Sequence, residues 1–359
     1  MQAIYRASRY VLPVAFGLYA IVANVAFFEQ PDAPDVPLDW SSLQGKPTAE
    51  LDGIYKKALP HREASIGLLG AARYLAVGEG RKGVLAAQHG WLFTVEETRR
   101  LDAADLTAAV GRIADIRDSL AAQGVHLVMV PVPAKIDVYR ANAGHMDLSD
   151  AMAQDYAGFM AQLHGAGVDV VDTRPALQAM GDDLAFFRTD THWTRAGADA
   201  VAQAVAASGL IAAGDTTYTA VADAPKSFTG DLVSYVTTDA IAPAIGLAVE
   251  DVTPMHADAG AAVGDLFGGA AADVVLVGTS YSANADWSFG EALKISLGRD
   301  VLNYAEQGQG PAQPMLAYIR SDDLKATPPK VVIWEFPVRY LSDPKIWDAP
   351  TVAVASNGT

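Results

Sequence analysis

The sequence predicts an α/β fold, in which a mostly parallel central sheet is covered by helices on both faces and preceded by one transmembrane helix. Apolar runs of strand length alternate with segments of helical periodicity, a pattern typical of parallel sheets. The N-terminus contains an uncharged apolar stretch long enough to cross a bilayer. With 359 residues, 51% of them hydrophobic, the chain can bury a large core.

The N-terminal segment has the charge pattern of a membrane anchor. Arg6 and Arg9 precede an uncharged stretch from Tyr10 to Phe28, and Glu29 and further acids follow it. A helix of this length rises about 28 Å, which is enough to span the hydrocarbon core. We assign residues 1–29 to an uncleaved signal anchor, with an inside N-terminus and an exported body. The alternative is a cleavable signal peptide, although its apolar core is usually shorter.

The rest of the chain divides by composition. Residues 30–50 are rich in proline and aspartate and predict a linker, whereas residues 51–345 predict one α/β domain and residues 346–359 a C-terminal tail. Residues 214–270 are less regular and are expected to form an insertion over the sheet.

Periodicity places the elements of this domain in order. Gly124 ends the first helix, and Thr194 is expected to cap a later one. The predicted helices are Asp105–Gln123, Ser149–His164 and 194–207. The predicted strands are Val125–Pro133, Val168–Val171, Ala272–Val277 and Lys330–Phe336.

Composition excludes several function classes. A formal net charge of −16 disfavours nucleic acid as a partner, because phosphates require a basic surface. The lack of cysteine excludes disulfides, cysteine nucleophiles and thiolate metal sites.

Ser280 lies in the turn Gly278-Thr279-Ser280-Tyr281-Ser282, directly after the predicted strand ADVVLV. A serine at this point sits at the carboxyl edge of the sheet, near helix N–H groups that can stabilise an oxyanion. It is therefore a candidate nucleophile. The alternative is that Ser280 or Ser282 only caps the following helix.

Asp190 and His192 are separated by one residue, just before the helix that begins at Thr194. In an extended segment, both side chains project to the same side. The aspartate can then hold one imidazole nitrogen while the other acts as a base. A metal site is a weak alternative, because His126, His145 and His164 show no ligand spacing around them. A surface turn with an N-cap is another alternative.

The segment 303–311 (NYAEQGQGP) is a third candidate. Gly308, Gln309 and Gly310 could supply donors to an oxyanion, although a glycine-rich loop is more often only a turn. The segment lacks the lysine of a phosphate-binding loop, so a nucleotide is not expected.

Seven motifs in order resemble those of the alginate O-acetyltransferase family, of the AlgJ and AlgX type. They are GVLAAQHGWLFT at 83–94, VPVPAK at 130–135, DTHWTRAGA at 190–198, GDLVSYV at 230–236, LVGTSYS at 276–282, NYAEQGQGP at 303–311 and VVIWEFPVRYL at 331–341. The resemblance runs from about Leu51 to Leu341. It implies an SGNH-hydrolase-like three-layer fold in which Asp190, His192 and Ser280 form the catalytic triad, with no cofactor or metal.

The resemblance also implies the partners. A multispanning membrane-bound O-acyltransferase would supply the acetyl group, and a polysaccharide, alginate or a similar polymer, would accept it. Only 18 residues follow Leu341, which leaves no room for the carbohydrate-binding module of soluble members and favours the membrane-tethered type. The net charge makes a neutral exopolysaccharide a serious alternative to alginate, because −16 repels a polyanion at low salt.

Side chains next to the motifs are candidate substrate-binding groups. Trp193, Tyr281 and Trp287 could stack on a sugar ring, although core packing explains Trp287 equally well. The N–H of Ser280 is a further candidate oxyanion donor, and its neighbours Thr279 and Tyr281 are candidate oxyanion or substrate-binding residues.

Arg188 and Arg195 flank the Asp-His pair in a chain that is otherwise acidic. One of them could hold a uronate carboxylate, since arginine binds carboxylates through two parallel hydrogen bonds. The alternative is that both are solvated or paired with nearby acids such as Asp182 and Asp199.

The sequence thus predicts a periplasmic O-acetyltransferase that works through an acetyl-Ser280 intermediate. Two alternatives remain open. A carbohydrate esterase would use the same triad with water as acceptor, and a non-catalytic subunit of a polysaccharide export complex would keep the fold alone.

Overall fold

The computed structural model describes residues 2–28, 59, 61–181, 183–260 and 272–347. The helices are α1 (Gln2–Phe28), α2 (Arg62–Val77), α3 (Ala103–Ala121), α4 (Lys135–Val138), α5 (Arg140–Ala143), α6 (Met146–Gly165), α7 (Arg174–Gln178), α8 (Arg195–Ala207), α9 (Ser280–Ala283), α10 (Phe289–Leu297), α11 (Ala312–Tyr318) and α12 (Asp322–Ala326). The strands are β1 (Val84–Ala86), β2 (Leu92–Thr94), β3 (His126–Val132), β4 (Asp169–Val170), β5 (Thr219–Ala222), β6 (Lys226–Phe228), β7 (Glu250–Val252), β8 (Met255–Asp258), β9 (Val274–Val277), β10 (Val301–Asn303) and β11 (Val331–Pro337).

A five-stranded sheet forms the centre of the molecule. Its strand order is β10-β9-β11-β3-β4, and every neighbouring pair is parallel. The longest strands, β3 and β11, pair along their full lengths from His126–Val331 to Val132–Pro337. This confirms the prediction of a parallel sheet.

Helices cover both faces of the sheet, because alternate residues of its strands are buried in two different cores. Val128, Val130 and Val132 of β3 belong to the core that includes α8 and α10. Leu127 and Met129 point to the opposite core, which includes α3, α6 and α11. The result is the predicted three-layer arrangement.

The order of the predicted elements is confirmed, with ends that shift by a few residues. Helix α3 begins two residues early, because the Asp102 carboxylate caps it by accepting the N–H of Ala104. The segment after the strand β9 differs more. Helix α9 has only four residues, a 3₁₀ turn (Ala285–Trp287) follows, and Ser288 has a positive φ of 57° before α10 begins. Trp287 therefore lies on this 3₁₀ turn and not on a continuous helix.

The described part of the insertion consists of two small antiparallel pairs and two 3₁₀ turns. Strand β5 pairs with β8, and β6 pairs with β7. The 3₁₀ turn Asp231–Tyr235 reaches the carboxyl edge of the central sheet, where Leu232 N–H donates to the Thr189 carbonyl. Residues 261–271 lie outside the described residues.

Helix α1 is, among the described helices, the one long and apolar enough to cross a membrane, by length and composition alone. A signal sequence would meet the same criterion. The predicted linker 30–50 lies outside the described residues, as does the tail from residue 348 onward.

Candidate active site

Ser280 and His192 meet at the carboxyl edge of the central sheet. Ser280 is the first residue of α9, three residues beyond the end of β9, and His192 lies three residues before α8. The Nε2 atom of His192 is 2.7 Å from the Ser280 Oγ, and its Nδ1 is 2.6 Å from Asp190 Oδ1. The structure thus joins the three predicted triad residues in one hydrogen-bonded chain.

The start of α8 fixes the Asp-His segment. The Thr194 hydroxyl caps this helix by accepting the N–H of Gly197 at 3.0 Å, as expected. A Cβ at Gly197 would lie 2.1 Å from the Ala185 carbonyl oxygen, so only glycine allows the helix to pack this close. A bridge between Phe186 and Trp193 closes the loop between them. These contacts place Asp190 and His192 on the same side.

The Asp190 carboxylate orients the histidine. Besides Nδ1, its Oδ1 accepts the backbone N–H of His192 at 2.8 Å, while its Oδ2 accepts the N–H of Asp231 at 2.9 Å. Burial raises the pKa of Asp190, but the hydrogen bonds and charge of His192 outweigh it, with help from the Asp231 N–H. The net pKa lies below the ordinary value.

Asp231 is a site residue that sequence reasoning did not single out. Its carboxylate accepts the N–H and the hydroxyl of Thr191, at 2.8 and 2.6 Å, and so holds the residue between the triad members. Burial and the charge of Asp190 raise the pKa of Asp231. Its place in the motif GDLVSYV was the available signal.

Asp190, His192 and Asp231 are the side chains on which a metal site would depend. They offer ligand atoms within 4.8 Å of one another. However, both nitrogens of His192 are already hydrogen-bonded, to Asp190 and Ser280, and the Asp231 oxygens are engaged by Thr191. This arrangement fits a triad better than a metal centre.

A buried glutamate supports the nucleophile turn. Glu335 of β11 accepts the N–H and the hydroxyl of Thr279, both at 3.1 Å, and the hydroxyl of Ser282 at 2.6 Å. Both donors of Thr279 are thereby engaged. A Cβ at Gly278 would lie 2.5 Å from the Glu335 carboxylate, which explains the glycine at the end of the strand.

The buried side chain of Lys135 holds the Asp-His loop in place through hydrogen bonds to backbone carbonyls. The Lys135 Nζ donates to the carbonyl oxygens of Leu92, Arg188 and Asp190 at 2.6, 3.0 and 3.0 Å. Burial lowers the pKa of Lys135 to about 8, although the charges of Glu97 and Asp190 oppose this shift. The motif VPVPAK ends at this residue, but its role was not visible in the sequence.

The prediction that aromatic residues stack on a sugar is wrong for the rings in this conformation. Trp193 and Tyr281 are fully buried and Trp287 is 4% exposed, so none presents a face to solvent. Trp193 Nε1 donates to the Tyr281 carbonyl at 3.0 Å, and the Tyr281 hydroxyl donates to the Thr191 carbonyl. Trp287 stacks on the His192 imidazole, with ring centroids 5.4 Å apart. The three rings form the floor of the site.

The glycine-rich loop borders the nucleophile turn. The N–H of Glu306 donates to the Gly278 carbonyl at 3.2 Å, which fixes the start of the loop beside the turn. Gly308 and Gly310 have positive φ values of 74° and 65°, and Gln309 is exposed. No hydrogen bond among the described residues joins these three to Ser280, so their oxyanion role stays a prediction.

Arg188 and Arg195 line a separate cleft of about 490 Å³, together with Phe187, Thr194 and Glu250. Neither His192 nor Ser280 lines it. Arg195 pairs with Asp199, as the alternative proposed. The guanidinium of Arg188 is exposed and lies 5.9 Å from the Trp91 ring. Contact of either arginine with a uronate stays a prediction, and Asp182 lies outside the described residues.

Known proteins share both the sequence and the fold of this chain. The family described as "SGNH hydrolase-like domain, acetyltransferase AlgX" matches residues 84–338. The "Probable alginate O-acetylase AlgJ" of Azotobacter vinelandii is 35% identical over 83% of this chain and 80% of its own length. The protein with the same name from Pseudomonas aeruginosa is 32% identical over 98% of this chain and 95% of its own length.

Among solved structures, the O-acetyltransferase domain of Pseudomonas putida AlgJ superposes with a TM-score of 0.63 and 36% identity, covering 73% of this chain and 93% of that domain. Pseudomonas aeruginosa AlgX gives a TM-score of 0.59 at 27% identity, with 73% and 67% covered. The chain therefore belongs to the SGNH hydrolase-like acetyltransferase family of AlgJ and AlgX, and it is an O-acetyltransferase.

Proposed function

We propose that this protein transfers acetyl groups to the hydroxyls of a polysaccharide through an acetyl-Ser280 intermediate. The observation that carries the proposal is the chain of hydrogen bonds from Asp190 through His192 to the Ser280 Oγ. With Nδ1–H held by Asp190, Nε2 is free to accept the serine proton.

The reaction follows from these contacts. His192 Nε2 takes the proton of Ser280 as the Oγ attacks the carbonyl carbon of an acetyl donor, and Asp190 stabilises the imidazolium. The tetrahedral intermediate collapses, and His192 protonates the leaving group. A sugar hydroxyl then attacks the acetyl-serine while His192 removes its proton. As this second intermediate collapses, His192 returns the proton to the leaving Ser280 Oγ, which gives an O-acetyl sugar and free Ser280. Transfer prevails over hydrolysis when the sugar hydroxyl is better positioned than water.

The proposal also includes the acetyl acceptor and the cellular location of the protein. The names of the AlgJ relatives support alginate as the acceptor, and the pathway context of AlgJ and AlgX supports a polysaccharide more generally. Helix α1 supports a membrane anchor. The proposal places this anchor in the inner membrane and the catalytic domain, residues 51–345, in the periplasm. A membrane-bound O-acyltransferase is the proposed acetyl supplier.

The test uses the full chain in detergent with a small activated acetyl ester. Wild type and Ser280→Ala are compared with oligouronate, with a neutral oligosaccharide and without acceptor, by mass spectrometry of the protein and the sugar. We expect an acetylated Ser280 peptide and an acetylated oligouronate, both absent from the variant.

The other outcomes separate the alternatives. Release of acetate without acetylated sugar would indicate an esterase. Acetylation of the neutral sugar alone would replace alginate with a neutral polymer. Equal behaviour of wild type and Ser280→Ala would remove the triad assignment and favour a non-catalytic subunit.

A further inference from the structure

Glu335 is a fully buried acidic residue next to the nucleophile. It lies near the carboxyl end of β11, and its side chain has no exposed surface. Among the described residues, its carboxylate accepts hydrogen bonds only from Thr279 and Ser282, which lie on either side of Ser280 in the nucleophile turn. The triad mechanism as derived above does not use it.

The surroundings of Glu335 contain no cationic side chain to pair with it. In the described part of the chain, no lysine or arginine nitrogen lies within 4.0 Å of its carboxylate. Strand β9 consists of valine and leucine, and the residue of β3 that pairs with Glu335 is Val130. Burial raises the pKa of Glu335, while the hydrogen bonds from Ser282 and Thr279 and the charge of His192 oppose this shift. Tyr281 on α9 is neutral. Each of the three groups that contact the carboxylate donates to it, as an ionised carboxylate requires.

A buried carboxylate without a cation is costly for the fold, because its desolvation is only partly offset by hydrogen bonds. A glutamine of the same shape could still accept hydrogen bonds from this turn through its amide oxygen. Stability alone therefore does not account for a negative charge at this position. The charge is favourable when a positive charge develops at His192, which happens each time the histidine takes the proton of Ser280.

We propose that Glu335 is a positioning residue with two effects on the proposed triad reaction, on which this inference rests. Its hydrogen bonds to Thr279 and Ser282 fix the turn so that the Ser280 Oγ faces His192. Its negative charge stabilises the imidazolium of His192. Glu335 neither gives nor takes a proton, because every proton transfer of the reaction passes through His192 Nε2.

The charge effect is tested with Glu335→Gln in the full chain, by the pH dependence of acetyl-Ser280 formation from the ester. Loss of the negative charge makes the imidazolium less favourable relative to the neutral ring, so the acid limb of the rate moves to lower pH. The maximal rate falls about tenfold, while the KM for the ester stays the same. Direct titration of His192 by NMR, assigned with His192→Gln, reports the same shift even if acetyl transfer is not the reaction.

The matched control is Asp137→Asn. Asp137 is equally buried and pairs with Arg174, so its loss lowers the melting temperature without moving the acid limb or the His192 titration. If Glu335→Gln behaves like this control, Glu335 is only structural and the proposal fails.

A second variant tests the positioning effect and does not depend on the folding of Glu335→Gln. Ser282→Ala removes the 2.6 Å donor but keeps the carboxylate. We expect the maximal rate to fall at least threefold, with an unmoved acid limb. A wild-type rate in Ser282→Ala would overturn the positioning effect.

Discussion

At the residue scale, His192 depends on Asp190 for its tautomer. The 2.6 Å contact assigns the proton to Nδ1 and leaves Nε2 as an acceptor for Ser280. Asp190→Asn presents an amide that favours the opposite tautomer, so acetyl-Ser280 formation should slow by about 10⁴-fold, the magnitude known for such triads. Initial rates with the activated ester measure this change.

The control for Asp190→Asn is Asp118→Asn, which removes an exposed carboxylate paired with Arg117. Its rate should equal that of wild type, because exposed ion pairs contribute little. A loss of less than tenfold in Asp190→Asn would mean that another group, such as Asp231, orients the histidine.

The lowered pKa of Lys135 predicts that activity has an alkaline limit. Burial lowers its pKa to about 8, so the ammonium, with three donors for three carbonyls, becomes an amine with two donors as the pH rises through this value. One of the carbonyls of Leu92, Arg188 and Asp190 then loses its hydrogen bond from Lys135, and the Asp-His loop loosens. We expect acetyl-Ser280 formation to fall above about pH 8.

A pH–rate profile of Lys135→Met checks this assignment. The variant should be slower at every pH and should lack the limb near pH 8, whereas Lys325→Met, at an exposed position, should keep it. An unchanged limb in Lys135→Met would assign the alkaline limit to a different group.

At the element scale, the site is assembled from the carboxyl ends of three adjacent strands. Lys135 follows β3, Ser280 follows β9, and Glu335 lies near the end of β11, which is between them. Parallel strands end at the same edge of the sheet, so residues far apart in sequence meet there. Helix α8 then brings the Asp-His pair to this edge.

The packing of α8 depends on Gly197. A Cβ there would meet the Ala185 carbonyl oxygen at 2.1 Å, and backbone cannot move aside as a flexible side chain can. Gly197→Ala should lower the free energy of unfolding by about 2 kcal/mol or more. Denaturant titration measures this value.

The matched control is Gly111→Ala in α3, where an added Cβ has nothing within 4 Å. It should raise the free energy of unfolding by about 0.5–1 kcal/mol, because alanine is the better helix former. Equal effects of both substitutions would show that α8 can shift to accommodate the methyl group.

At the scale of the whole molecule, the net charge of −16 opposes a polyanionic acceptor. Raising the ionic strength from about 0.01 to 0.15 M shortens the screening length from about 30 to 8 Å. The rate of oligouronate acetylation at low acceptor concentration should therefore rise with salt, while that of a neutral oligosaccharide stays constant. A rate that falls with salt would indicate a local basic surface, such as Arg188 and Arg195, that guides the acceptor.

The sequence by itself determined the features that depend on local pattern. Alternating apolar runs and helical periodicity specify a parallel sheet with helices on both faces, because each element must bury one face or one stripe. The Thr194 cap and the turn at Gly124 are visible because a single side chain or a missing Cβ decides them. The spacing of Asp190 and His192 also suffices to place both on one side.

The tertiary structure alone decided which groups surround the triad. The crossover topology brings Lys135 and Glu335 to the triad, and the insertion brings Asp231. No local pattern indicates a polar residue whose partner lies dozens of positions away. Burial was also decided by the tertiary structure: the Trp193 ring, a candidate for stacking on a sugar, has no exposed surface and lies in the floor of the site. Local patterns report the conformation of a segment, whereas solvent access and long-range hydrogen bonds exist only once the segments have packed.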